Sequence, residues 1–136
     1  MSQKIYLVKY LLEDDIPVDE TSENLDSTYL PEELEKWILD NNLIREIEIK
    51  ESSGDVPDIP ISTIDIDKIN EVILFVESTI LEQVQKIHAN TSNNVHMSAE
   101  IDSNLNNLLD WLKVRAMLKE KETRYLEIPN IKIVVG

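Results

Sequence analysis

Apolar residues recur over residues 67–89 at Ile69, Val72, Ile73, Val76, Ile80, Val84 and Ile87. That spacing stacks one side chain per turn on one helical face and predicts a long helix. Asp67 stands where it can cap the first N–H groups, and Asn90 stands where the helix would end. Leu74, Phe75 and Leu81 widen the stripe beyond one seam, so the helix is expected to be touched from more than one side. A second helical period covers 98–120, with Ser98 as its cap. It predicts a buried stripe of Ile101, Leu105, Leu108, Leu109, Leu112 and Ala116, with Trp111, Val114 and Leu118 off that stripe. A shorter helix is expected over 30–41. It starts at Pro31 with Glu32, Glu33 and Glu35 near its positive end, buries Leu30, Leu34, Trp37 and Ile38, and stops at Asn41-Asn42.

Between the helices the period changes to two. Lys4–Leu12 reads as an N-terminal strand, and Leu43–Lys50 as a half-buried strand with Glu46, Glu48 and Lys50 toward water. Ile59–Ile66 is a short alternation kept extended by Pro57 and Pro60, and it leads straight into the long helix. The end of the chain holds two β-like pieces, YLEI and IKIVV, split by Pro129-Asn130. They read as a hairpin or as one kinked edge strand. Residues 13–29 are expected to form an acidic loop, 51–60 a turn-rich loop, and 90–97 a polar linker. The order β, α, β, α, α, β predicts one α+β domain over 1–136: a small β-sheet packed against two long amphipathic helices and one shorter helix.

Composition supports a folded chain despite its charge. Hydrophobic residues make up 42% of the 136, and Ile, Leu and Val supply 44 of those 57, enough apolar material for a core. The net charge of −14 is unevenly spread. Residues 1–99 hold 21 acidic and 7 basic side chains, whereas 100–136 hold 6 of each. Such a surface repels nucleic acid and anionic lipid and favours a basic protein partner. Direct nucleic-acid binding is therefore not expected, and the cluster Lys113, Arg115, Lys119, Lys121 and Arg124 is diluted by Glu120 and Glu122. No apolar run reaches the length of a membrane span, and no signal peptide is expected. With no cysteine, the chain is expected to be intracellular, cytoplasmic or nuclear.

Catalytic and metal chemistry find little support. His88 and His96 flank the polar linker without an HExxH spacing, so they read as solvated side chains rather than ligands. Asp65 and Asp67 form a DxD, but no glycine-rich phosphate loop accompanies it, and helix capping accounts for Asp67. Glu13, Asp14, Asp15, Asp19 and Glu20 lack the glycine and the twelfth-position acid of a calcium loop. No serine–histidine–acid set or GxSxG is evident. Gly54 and Gly136 are the only glycines, which disfavours loops that bring backbone N–H groups onto a substrate. No cofactor is expected, and the chain is not expected to be an enzyme.

One passage resembles a known family. Asp58–Phe75, DIPISTIDIDKINEVILF, is similar to the segment of small BTB/POZ-fold adaptors, of the elongin C and SCF-adaptor type, in which a strand turns into a central helix. Ile59, Pro60 and Ile61 match the strand end, Ile64 the turn, and Ile69, Val72, Ile73 and Val76 the helix core. Ile5–Val8 with Ile16-Pro17-Val18-Asp19 resembles the family's first hairpin, although the usual glycine turn is missing and the helix runs longer. The resemblance implies a non-enzymatic adaptor between protein partners.

The residues and the resemblance converge on a non-catalytic protein–protein interaction module or adaptor with an acidic surface. Its candidate interface comprises Phe75, Leu74, Leu81, Trp111 and Leu118 with the acidic strip Asp14, Asp15, Asp19 and Glu20. The alternative is an acidic inhibitor of immunity or antitoxin type, or a nucleic-acid mimic, that binds a basic protein. The long helix and the C-terminal β-like edge both offer contacts for a homo-oligomer.

Overall fold

The computed structural model describes residues 3–13, 16–49, 59–93 and 98–136, with side chains over 3–10, 22–49, 60–89 and 102–136. The described elements run β1 Lys4–Glu13, β2 Ile16–Tyr29, α1 Glu32–Asp40, β3 Ile44–Ile49, β4 Ile59–Ile64, α2 Ile66–Asn93, α3 Ser98–Glu122 and β5 Ile131–Val135. The fold is α+β: one antiparallel sheet in the order β2-β1-β5-β4-β3, with three helices.

The last strand is the centre of the sheet. β5 pairs with β1, bringing Leu7 opposite Ile133, and with β4, bringing Ile64 opposite the same Ile133. Those three side chains are all buried, because partners in register share a face. Ile5 and Ile131 extend this apolar strip, and all three helices join it through Leu34 and Ile38, Ile69 and Val76, and Val114 and Leu118. The C-terminal piece is therefore not an edge and offers no strand for self-pairing. Its expected partner, YLEI, is not a strand either. Lys121 Nζ donates to the carbonyls of Tyr125 and Ile128, each at 2.9 Å, which ties residues 123–127 into a turn after α3.

The acidic segment expected as a loop is mostly β2, a 14-residue edge strand laid along β1. The missing apolar alternation hid it: the β1 backbone supplies the pairing, and one flank of an edge strand needs no partner. Glu23 and Asp26 are exposed there, and charges on an edge discourage further strand addition. Asp14 and Asp15 lie outside the described residues. The register with β1 shifts twice, between Leu7 and Val8 and between Lys9 and Leu11, and such bulges increase bend and twist. β2 and β3, the two ends of the pairing order, also come into contact, so the sheet curls. Thr63 and Ile49, which alternate away from the helix-facing Ile64 and Ile44, are buried.

Local signals set the helix ends. α1 begins after Pro31 and closes in a left-handed turn at Asn42, whose φ is 54°. Asn42 N–H donates to Leu39 O and Leu43 N–H to Ile38 O, the paired bonds of a Schellman motif, with Leu43 buried beyond it. α2 starts as Lys68 and Ile69 N–H reach Asp65 O. It continues through Asn93, so the first half of the expected linker is helical, and 94–97 lie outside the described residues.

Candidate functional site

α2 and α3 form an antiparallel pair, joined across the groove by Arg115, whose Nε and Nη2 each lie 3.1 Å from Glu77 Oε2. The inner surface of the pair is ordinary core: Ile69, Val72, Ile73 and Val76 from α2, and Trp111, Val114, Met117 and Leu118 from α3. For α3 this reverses the expected orientation. Trp111 (1% exposed) and Leu118 (0%) face the core, while Leu105, Leu109, Leu112 and Ala116 face out. Both faces of the helix are apolar, and the face with the tryptophan has the larger area to remove from water.

Phe75 is also engaged inside the domain. Its ring stacks on Trp37 at 4.3 Å between centroids with 6° between planes, and it lies 6.1 Å from Trp111. Of the candidate interface residues whose side chains are described, Leu74 and Leu81 are the ones that remain open, at 59% and 63% exposed. Asp19 and Glu20 lie on the β2 backbone, with side chains outside the described set. Val84, expected in the core stripe, is exposed instead. The reason is length. Thr79 is the last buried side chain described on α2 and Trp111 the first on α3, so the pair runs about 20 Å past the core at 1.5 Å per residue.

Leu74, Ser78, Leu81 and Gln85 share one face of α2, and Leu105, Leu109, Leu112 and Ala116 share one face of α3. The two faces meet: a shallow groove of about 250 Å³ is lined by Glu77, Ile80, Leu81, Leu112 and Arg115. The result is one apolar outer surface bearing Leu74, Leu81, Val84, Leu105, Leu109 and Leu112, all exposed. The groove's carboxylate and guanidinium, Glu77 and Arg115, pair with each other, and exposed Glu71, Glu82, Asp102 and Lys113 flank the leucines. Six large apolar side chains about half in water reach the few-hundred-Å² scale at which a patch signals interaction. Periodicity registered Leu105, Leu109 and Leu112 but assigned them to the core. The available signal was the second apolar stripe on the same helix.

Other concavities carry charge, two of them with three or more charged side chains. A cleft of about 380 Å³ is lined by Thr63, Asp65, Lys121, Glu127, Lys132 and neighbouring apolar side chains. Burial pushes the Lys121 ammonium below its ordinary pKa, and the charge of Lys132 adds to the effect. Burial likewise lowers Lys132, with Asp65 opposing and Arg45 reinforcing the shift. Lys121 is committed to its two carbonyls, and Asp65 lies 3.6 Å from Arg45, so the cleft's charges are largely answered from within. Asp65 thus faces a cation, and Asp67 is exposed. Among the described residues no group of three or more His, Asp or Glu is placed to hold a metal ion. His88 is exposed, and His96 lies outside the described residues. The second concavity, about 500 Å³ between the start of α1 and α3, is lined by Glu32, Glu35 and Asp110 with Gln3, Tyr29 and Asn107. Among the described residues no helix is long and apolar enough to cross a membrane. Comparison with protein-family models, with curated proteins and with solved structures returns no match.

Proposed function

We propose that this protein is a non-catalytic protein–protein interaction module that binds through the outer face of the α2–α3 pair. The observation that carries this reading is the exposed apolar surface containing Leu74, Leu81, Leu109 and Leu112 on helices that already bury a separate apolar face in the core. A folded chain gains nothing by presenting leucines to water at regular helical spacing, so covering that face stabilises a complex by the hydrophobic effect. The likeness of Asp58–Phe75 to BTB/POZ adaptors points to the same class of function.

The acidic-inhibitor reading retains one specific support, the groove where Glu32, Glu35 and Asp110 converge. A basic protein docked there would be held by charge and released by salt. The two readings separate in one experiment: capture of partners from the native cell at low and high salt, using the wild-type chain and a Leu74→Glu, Leu81→Glu variant. The apolar-face reading expects a salt-resistant partner that the variant loses. A partner retained by the variant but eluted by salt would replace it with the inhibitor reading.

A further inference from the structure

We infer that the cleft between the start of α2 and the turn after α3 binds a small organic acid, its carboxylate held by Lys121 and Lys132 and its apolar body lying against Ile66 and Leu126. This cleft shares no lining residue with the groove between α2 and α3, and the inference does not rest on the interaction-module reading.

Lys121 is the one charged side chain that is buried among the described residues, at 6% exposed. An ammonium carries three donors. Two of them go to the carbonyls of Tyr125 and Ile128, which are neutral and leave the positive charge without a counter-ion. Lys132 is where the internal balance of the cleft stops. It enters half-buried from β5, and among the described residues it makes no hydrogen bond and no ion pair. Its charge acts on Lys121, so two cations repel each other in one cleft. Asp65 attracts Lys132, but that carboxylate also lies 3.6 Å from Arg45. Shielding two cations from water without a full counter-ion costs free energy. A bound carboxylate offsets that cost, because its two oxygens can accept charge-assisted bonds from both ammoniums.

The charge count selects the head group. With Arg45 included, three cations face the carboxylates of Asp65 and Glu127, a surplus of one positive charge on a chain whose total is −14. A monoanion cancels that surplus. A phosphate dianion exceeds it and lies beside two carboxylates. The apolar lining selects the body. Ile66 and Leu126 are 41% and 50% exposed and line the cleft beside buried Ile64 and Ile131. A bare inorganic ion leaves both side chains in water, whereas an apolar body covers them. The volume of about 380 Å³ is at the low end of the roughly 300–1,000 Å³ of small-molecule sites, which suits a small acid.

The test is an NMR titration of the full, isotopically labelled chain with 4-methylpentanoate, up to about 50 mM at constant ionic strength. Its neutral isostere 4-methylpentanamide and inorganic phosphate are titrated in parallel. The acid is expected to shift the signals of Ile66, Lys121, Leu126 and Lys132 saturably, with a Kd on the order of 1–10 mM for so few heavy atoms. The amide and phosphate are each expected to bind at least about tenfold more weakly. Lys132 is the position to change, because Lys121 also ties the turn after α3. Lys132→Gln is expected to keep the wild-type circular dichroism and weaken the acid about tenfold, while Lys132→Arg stays within about threefold. The absence of a saturable shift at these residues overturns the inference, as does equal binding of acid and amide. Binding that Lys132→Gln leaves unchanged overturns it as well, and so does equal loss in both Lys132 variants, since charge would then not be what binds. Phosphate binding more tightly than the acid overturns the assignment of a carboxylate monoanion.

Discussion

The reversed orientation of α3 can be tested by comparing Leu118→Ala with Leu109→Ala. Leu118 is 0% exposed, on the side of α3 that faces the sheet, and Leu109 is 48% exposed on the other. A buried leucine cut to alanine loses its transfer energy and leaves a cavity that relaxes only in part, at a cost of about 2–5 kcal/mol. Leu118 touches a core contributed by three helices and three strands, so collapse around it is restricted and about 3 kcal/mol is expected. Leu109 keeps half its surface in water and encloses no cavity when shortened, so its cost should stay below about 1 kcal/mol. For a chain of 136 residues, each kcal/mol moves Tm by roughly 3–5 °C. Leu118→Ala should therefore lose about 10 °C, and Leu109→Ala no more than a few. Urea unfolding followed by tryptophan fluorescence reports both, since Trp37 and Trp111 pack in or against the core. The measurement belongs at low protein concentration, where self-association adds nothing to stability. Equal losses, or a larger loss at Leu109, would mean that the Leu105–Leu109–Leu112 stripe faces inward after all.

Three further outcomes are expected. Asn104 Nδ2 is buried on α3 with no hydrogen-bond partner, so Asn104→Leu should stabilise the chain by about 1–2 kcal/mol, and a drop in the urea midpoint would contradict that. Asn42 holds a positive φ of 54° at the end of α1. Asn42→Val should cost about 1–2 kcal/mol while Asn42→Gly stays near neutral, as read by thermal unfolding; equal behaviour of the two would refute the left-handed turn. Burial lowers the folded pKa of Lys121 and Lys132. The folded state then holds fewer protons than the unfolded state between those lowered values and the ordinary 10.5, and their contribution to stability rises with pH across that window. Lys132→Gln should accordingly stabilise at neutral pH by less than about 1 kcal/mol, an advantage that shrinks toward pH 10.5; an advantage that grows with pH would reverse the assigned sign.

The helices were legible because each has a periodic core side, and α2 through Val76 buries the stripe its spacing predicts. Strands were legible where apolar and polar residues alternate, as over Ile44–Ile49. β2 was not, because an edge strand can be held by its neighbour's backbone and carry Glu23 and Asp26 in water. The placement of β5 was invisible for another reason. Pairing partners are fixed by geometry across the whole chain, and nothing local to Ile131–Val135 says that β1 will lie on one side and β4 on the other.

The same distinction explains the candidate site. Periodicity measures how apolar a helix face is, but it does not say which body covers that face. α3 offers two apolar faces, one through Trp111 and Leu118 and one through Leu105, Leu109 and Leu112, and the sheet has room for one. α2 has the corresponding surplus in Leu74 and Leu81. That both helices carry their surplus toward the same outer side, with Glu77 and Arg115 paired across the groove between them, is a relation between two elements more than thirty residues apart. It exists only once they pack. An apolar stripe left over on one helix is a common accident, whereas two that align into one apolar surface are what a covering partner requires.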